Sequence, residues 1–182
     1  MVSAGDCGQR LLIRIGTRIN TGKTDFMVNG ICECTDFLSH WFNGLAKGLE
    51  KLDAPSRTTL LRECGQACAR SYTAQVFRES WERAGGDMAR FLAELATRFP
   101  ASTYTLVADD IVEVCYDACG CDLVRAGWVT SPVLCECSAH NLQANFEAAL
   151  GRPVTVTLKA SWLRHGEACL FEVQLGREKI HK

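Results

Sequence analysis

The chain has 182 residues, 47% of them hydrophobic and 23% charged, which fits one domain with a substantial core and leaves little chain for a second. Its 20 basic and 21 acidic residues give a net charge of -1 and are scattered along the sequence, so no global field favours nucleic acid or an anionic membrane surface. Arg10, Arg14 and Arg18 interrupt the N-terminal apolar residues, and no later stretch approaches the roughly 18 apolar residues that cross a bilayer; a soluble, cytoplasmic protein is expected.

Residues 11–19 partly alternate, with Ile13, Ile15 and Ile19 set against Arg14 and Arg18, and predict a half-buried strand within an N-terminal extension, residues 1–34. A helical part follows over residues 35–100. Phe37, Leu38, Trp41, Phe42, Leu45, Leu49 and Leu52 recur at three- and four-residue spacing, predicting an amphipathic helix capped at Thr35 or Asp36. Asp53, Ala54 and Pro55 end it. Ser56 then opens a second helix with Leu60, Leu61, Cys64, Cys68 and Tyr72 on one face. After Gly85-Gly86, Asp87 caps a third, with Met88, Phe91, Leu92, Leu95 and Phe99 inward and Pro100 as its stop.

Residues 101–176 carry strand periods with one inserted helix. Residues 102–107 and 111–116 predict a hairpin through Asp109-Asp110, and residues 123–129 a further strand. Ser131-Pro132 marks a start, read as an extended lead-in through Cys135 and Cys137 and then a helix through Leu142, Phe146 and Leu150 that stops at Gly151. Two strands, 153–159 and 169–175, flank a turn at His165-Gly166, and residues 177–182 form a solvated tail. Helices first and strands afterwards predict an α+β fold, with helices packed on a twisted antiparallel sheet.

Eleven cysteines are the compositional outlier. An odd number, in a chain without an export signal and large enough for its own core, argues for thiols rather than a disulfide framework. Cys7 and Cys115 are not part of a close C-x-C or C-x3-C pair in the sequence and read as small hydrophobes. The others form close pairs, namely Cys32/Cys34, Cys64/Cys68, Cys119/Cys121 and Cys135/Cys137, with Cys169 alone. A tetrahedral thiolate site needs four ligands from at least two segments, and close pairs lower the entropy cost of assembling it. The most economical quartet is Cys119, Cys121, Cys135 and Cys137, because residues two apart in an extended segment point the same way. Cys64 and Cys68, from consecutive turns of a helix, or Cys169 are the reserve ligands. Zinc is the expected ion, with an iron–sulfur cluster as the alternative.

Cys135 opening a helix, the turn Gly151-Arg152-Pro153-Val154 into a strand, and Gly166-Glu167-Ala168-Cys169-Leu170-Phe171 together resemble the C-terminal half of the 4-vinyl-reductase-like (hydrocarbon-binding) domain, over about a quarter of the chain. The preceding helices, with Cys64-Gly65 and Cys68, are similar to the aminothiazoline-carboxylate hydrolase-like proteins. The resemblance implies a TRAPP-like ligand-binding domain, often a homodimer, with a pocket for a small apolar molecule. In aromatic-sensing members of the family it also implies zinc held by a Cys, a Glu-x-x-Cys and a final Cys. Here Cys135 and Cys169 match the outer ligands, but Leu158 and Ser161 stand where the glutamate and middle cysteine belong.

The expected function is therefore a zinc-thiolate domain binding a small, largely apolar ligand. The alternative is a hydrolase of a small C–N or C–S substrate, with His140, Glu136 and Glu63 as candidate catalytic groups beside the ligands. A third is a thiol redox protein using Cys64 and Cys68. No G-x-S-x-G, H-E-x-x-H or phosphate-cradling glycine loop is present.

Overall fold

The structure is a computed structural model, and it describes residues 31–176; the strand predicted at 11–19, Cys7 and the 177–182 tail lie outside them. Helix α1 spans Ile31–Lys51 and therefore starts before the cap predicted at Thr35 or Asp36. Helix α2 spans Ala54–Cys68, with the Asp53 carboxylate accepting from the Ser56 N–H. A π-helical turn, Ala69–Thr73, joins it without a break to α3, Ala74–Ala84, which Gly85 ends in the left-handed conformation (φ 61°). Helix α4, Met88–Arg98, starts where Asp87 accepts from the Arg90 N–H at 2.9 Å.

Strands β1 (Ser102–Ala108) and β2 (Ile111–Tyr116) form the predicted hairpin. The short helix α5, Asp122–Arg125, replaces the strand expected at 123–129: Ala126 and Trp128 N–H groups turn back to Asp122 and Leu123 carbonyls, so the apolar run coils instead of extending. A 3₁₀ turn, Pro132–Leu134, runs directly into helix α6, Cys135–Leu150. The extended lead-in predicted through Cys135 and Cys137 is thus helical. Ser131 Oγ accepts from the Val133 N–H and Pro132 supplies a helical φ, so coiling begins before the cysteines. Strand β3 (Val154–Ala160), a one-turn helix α7 (Trp162–His165) and β4 (Cys169–Leu175) complete the chain.

The fold is α+β. Its four strands pair antiparallel in the order β1-β2-β4-β3. Val112, Val114, Phe171 and Val173 face inward from the two central strands and are fully buried, while Glu113, Glu172 and Lys159 are less buried, with Lys159 Nζ 3.0 Å from Glu172. This period-two burial is that of a sheet covered on one face. Phe77, Phe91, Leu95, Leu142 and Phe146 close the core from α3, α4 and α6. The three phenylalanines meet edge to face at centroid distances of 5.4–6.1 Å.

A smaller core, Ala46, Leu49, Leu61 and Val133, docks α1 on α2 and on the lead into α6. Phe42 stacks on Trp128, and Asn43 Nδ2 donates to the Trp128 carbonyl at 3.1 Å. Not all of the apolar face expected inward on α1 is covered, since Phe37, Trp41, Leu45 and Leu52 are exposed. On α2 the buried line is Leu61 and Gly65, continued by Ala69, so Leu60 and Tyr72 also face outward. Among the described residues no helix is long and apolar enough to cross a membrane.

Candidate functional site

Helix α6 packs on α2 and α3 along one side and on β3 along another. Its N-terminal turn therefore lies where four cysteine-bearing segments can converge. Gly65 brings α2 in: a Cβ there would stand 2.5 Å from the Cys137 carbonyl oxygen, 2.8 Å from the Asn141 N and 2.8 Å from the His140 Cβ. Only a glycine allows that approach. Asn141 Nδ2 donates to the Gly65 carbonyl at 3.4 Å and Asn145 Nδ2 to Asn141 Oδ1 at 3.1 Å, while Thr73 Oγ1 donates to Asn145 Oδ1 at 2.9 Å. This ladder runs along the seam from α2 to the π turn, and it satisfies the buried Asn145.

Cys64 and Cys68 flank Gly65 on exposed positions of α2. Cys119 and Cys121, both half-buried, come from the loop between β2 and α5. Cys135 and Cys137 occupy the first turn of α6, buried and half-buried, and Cys169, buried, opens β4. Residues two apart on a helix are separated by about 200° around its axis. Cys135 and Cys137 therefore do not present both sulfurs to one point as an extended C-x-C would.

The electrostatics show how the thiols act on one another. Burial pushes the Cys137 thiol up to about 12, and negative charge on Cys121, Cys68, Cys64 and Cys135 pushes in the same direction. Cys68 is raised by partial desolvation, then by Cys121 and Cys64. Burial also raises Cys119, with the Cys121 N–H opposing and the Cys121 and Cys135 charges adding; burial raises Cys169, with Cys135 and Cys119 adding. The quartet expected from spacing is linked throughout, Cys119 with Cys121 and Cys135, and Cys137 with Cys121 and Cys135, while Cys64 and Cys68 act on Cys137 from α2 and Cys169 is affected by Cys135 and Cys119.

The Trp162 N–H donates to Cys169 Sγ at 3.3 Å. Ser161, one residue earlier, is fully buried, and its Oγ has no hydrogen-bond partner among the described residues. A buried hydroxyl without a partner costs about 1–3 kcal/mol. The donor chemistry fits a thiophilic ion: several thiols that raise one another's pKa can ionise together only if a cation offsets their repulsion. As they stand, no three His, Cys, Asp or Glu side chains among the described residues are grouped to hold a metal ion.

The three candidate catalytic groups lie around this end of α6 and α2. Glu136 is held by Arg57 at 3.0 Å and by Arg164 at 3.8 Å, which ties α6 to α2 and α7. Burial and the Arg62 charge lower the His140 pKa, against opposing contributions from Gln143 and Glu136, so the imidazole is neutral at pH 7. Glu63 is exposed on α2. The helical setting of Cys135 and Cys137, the Gly65 contact and the Ser161 hydroxyl are what sequence reasoning missed. The small residues Gly65 on α2 and Ala69 at the start of the π turn, four apart, were the available signal for the close seam.

No protein-family model matches the chain, and no curated protein is similar to it. The resemblance to the 4-vinyl-reductase-like and aminothiazoline-carboxylate hydrolase-like proteins therefore rests on its motifs. Among solved structures, the chain is similar to a trafficking protein particle complex subunit 3 from Naegleria fowleri covalently bound to palmitic acid. The TM-score is 0.48 at 10% sequence identity, covering 80% of this chain and 97% of that one.

Proposed function

We propose that this chain is a metal-thiolate domain holding zinc through Cys119, Cys135 and Cys169, and that it receives a small, largely apolar ligand. The observation that supports the metal is that Cys119, Cys135 and Cys169, from three separate segments, act on one another: Cys135 adds to the upward shift that burial gives both Cys119 and Cys169, and Cys119 adds to that of Cys169. Three protein donors leave a coordination position for water or ligand, as in zinc sites that exchange their fourth ligand. The apolar ligand draws its support from the motif resemblance.

Metal analysis of protein purified under reducing conditions without added zinc tests the reading. Stoichiometric zinc, lost from the Cys135→Ser/Cys169→Ser double variant while the helical circular dichroism remains, is the expected result. A folded, metal-free wild type overturns it, and a brown sample absorbing in the visible assigns the thiols to an iron–sulfur cluster instead.

The open position and the neutral His140 favour a second reading, hydrolysis of a small C–N or C–S substrate, with Glu136 and Glu63 as the other candidate groups. Turnover abolished by His140→Gln with zinc content unchanged would support it; unaltered turnover removes His140 from the chemistry.

A further inference from the structure

Cys115 is the exception to the one-sided burial of the sheet. On β2, Val112, Val114 and Tyr116 turn toward the helices, so Ile111, Glu113 and Cys115 turn to the opposite face. That face carries charge: Glu113 and Glu172 are direct partners across β2 and β4, and Lys159 stands 3.0 Å from Glu172. A position on it should be open to solvent, yet Cys115 is only 3% exposed, and among the described residues it belongs to neither hydrophobic core. Its sulfur is also disulfide-bonded, which corrects the reading of Cys115 as a small hydrophobe.

The partner follows by elimination. Of the eleven cysteines, the seven others between Cys64 and Cys169 are free thiols, which leaves Cys7, Cys32 and Cys34. Helix α1, which bears Cys32 and Cys34, docks through Ala46 and Leu49 on α2 and on the lead into α6, at the helical side of the molecule. Bonded cysteines have Cα atoms about 4.4–6.8 Å apart, a distance that does not reach across the sheet from that side. Cys7 is under no such restriction. Residues 8–30 separate it from α1, and at about 3.3 Å per residue they can span roughly 75 Å.

We infer that residues 7–19 cover the outward face of the sheet, with Cys7 joined to Cys115 by a disulfide. The chemistry of the segment matches the face. Ile13 and Ile15 supply apolar surface for Ile111 and for Leu170, the half-buried partner of Cys115 on β4. Residues 7–19 also hold three arginines and no acidic residue. Within a Debye length of about 10 Å that charge offsets the repulsion between the opposed Glu113 and Glu172.

The bond forms by exchange with a low-molecular-weight disulfide of the glutathione type. One cysteine thiolate attacks it and releases one small thiol, and the second cysteine then displaces the other. Both electrons and both cysteine protons leave with the two small thiols. The tether uses none of the proposed zinc ligands, so it and the zinc site can fail independently.

The test is disulfide mapping of the full-length protein incubated with oxidised glutathione, alkylated without reduction, digested and sequenced by tandem mass spectrometry. A linked Cys7–Cys115 peptide, from protein running as a monomer on a non-reducing gel, is the expected result, with its loss on reduction and in Cys7→Ser. In the reduced protein, Arg14→Glu/Arg18→Glu should speed the alkylation of Cys115 while the helical circular dichroism is unchanged, because the segment then leaves the face. Recovery of Cys115 as an alkylated thiol from the oxidised wild type, or bonded to any cysteine other than Cys7 of the same chain, overturns the tether. An alkylation rate that the charge reversal does not change overturns the covering of the face by this segment.

Discussion

Gly65 decides how close α2 can come to α6, and two opposing effects make its substitution informative. In an exposed helix interior, glycine to alanine is stabilising by about 1 kcal/mol through backbone entropy. Here the new methyl would meet the backbone of Cys137 and Asn141 at 2.5 and 2.8 Å, and backbone cannot rotate away. Overpacking of this kind costs about 1–3 kcal/mol, so the clash wins. Gly65→Ala is expected to lower the urea midpoint at unchanged m-value, while Gly48→Ala, on α1 with nothing within 4 Å of the added carbon, should not.

His140 gives a pH dependence whose sign follows from its environment. Burial and Arg62 hold its folded pKa below the usual 6.5, so the unfolded chain binds the proton first as pH falls. The stability contribution is present above pH 6.5 and is lost as pH drops through the folded value. Denaturant midpoints of the chelated protein between about pH 7.5 and 5 should decline, and His140→Gln should flatten part of that decline. An identical pH profile in the variant would show that His140 is not the group responsible.

Among the elements, α4 was the most legible, because its signals agree: Asp87 caps it, and Phe91, Leu92 and Leu95 are buried at helical spacing. Asp87→Ala should cost about 1 kcal/mol in a denaturation experiment, the usual loss for a removed N-cap. Phe146→Ala, which removes a fully buried ring touching Phe77 and Phe91, should cost about 3–5 kcal/mol. Strands β3 and β4 were legible for a similar reason, through β-branched and aromatic alternation between glycine turns.

The site was much less legible than the elements that carry it. Seven of its residues were recognisable as ligand types, but their grouping depends on side-chain direction, which changes with secondary structure. Reading residues 133–137 as extended placed Cys135 and Cys137 on one side, whereas the helix started by Ser131 and Pro132 turns them apart. The π turn at 69–73 left no mark in apolar spacing, although it carries Thr73 to Asn145. Leu123, Val124 and Val129 look like strand residues, yet a short apolar run has no period long enough to distinguish strand from helix, and here it folds into α5.

For the whole molecule, the proposed metal site and the fold should be thermodynamically linked. The proposed ligands Cys119, Cys135 and Cys169 lie on three separate segments, so zinc held by all three would favour the folded chain over the unfolded one. A ligand at 100 times its dissociation constant adds about 2.7 kcal/mol per site. In a domain of this size each kcal/mol shifts Tm by about 2–4 °C, so one occupied site should raise Tm by roughly 5–11 °C. The C-x-C pairs keep two sulfurs close even in the unfolded chain, and residual zinc binding there pulls the shift towards the lower end. Calorimetry of the reduced protein should thus show Tm rising with the logarithm of free zinc and falling on chelation. A Tm indifferent to zinc and chelator would mean that these thiols stabilise the fold without a metal.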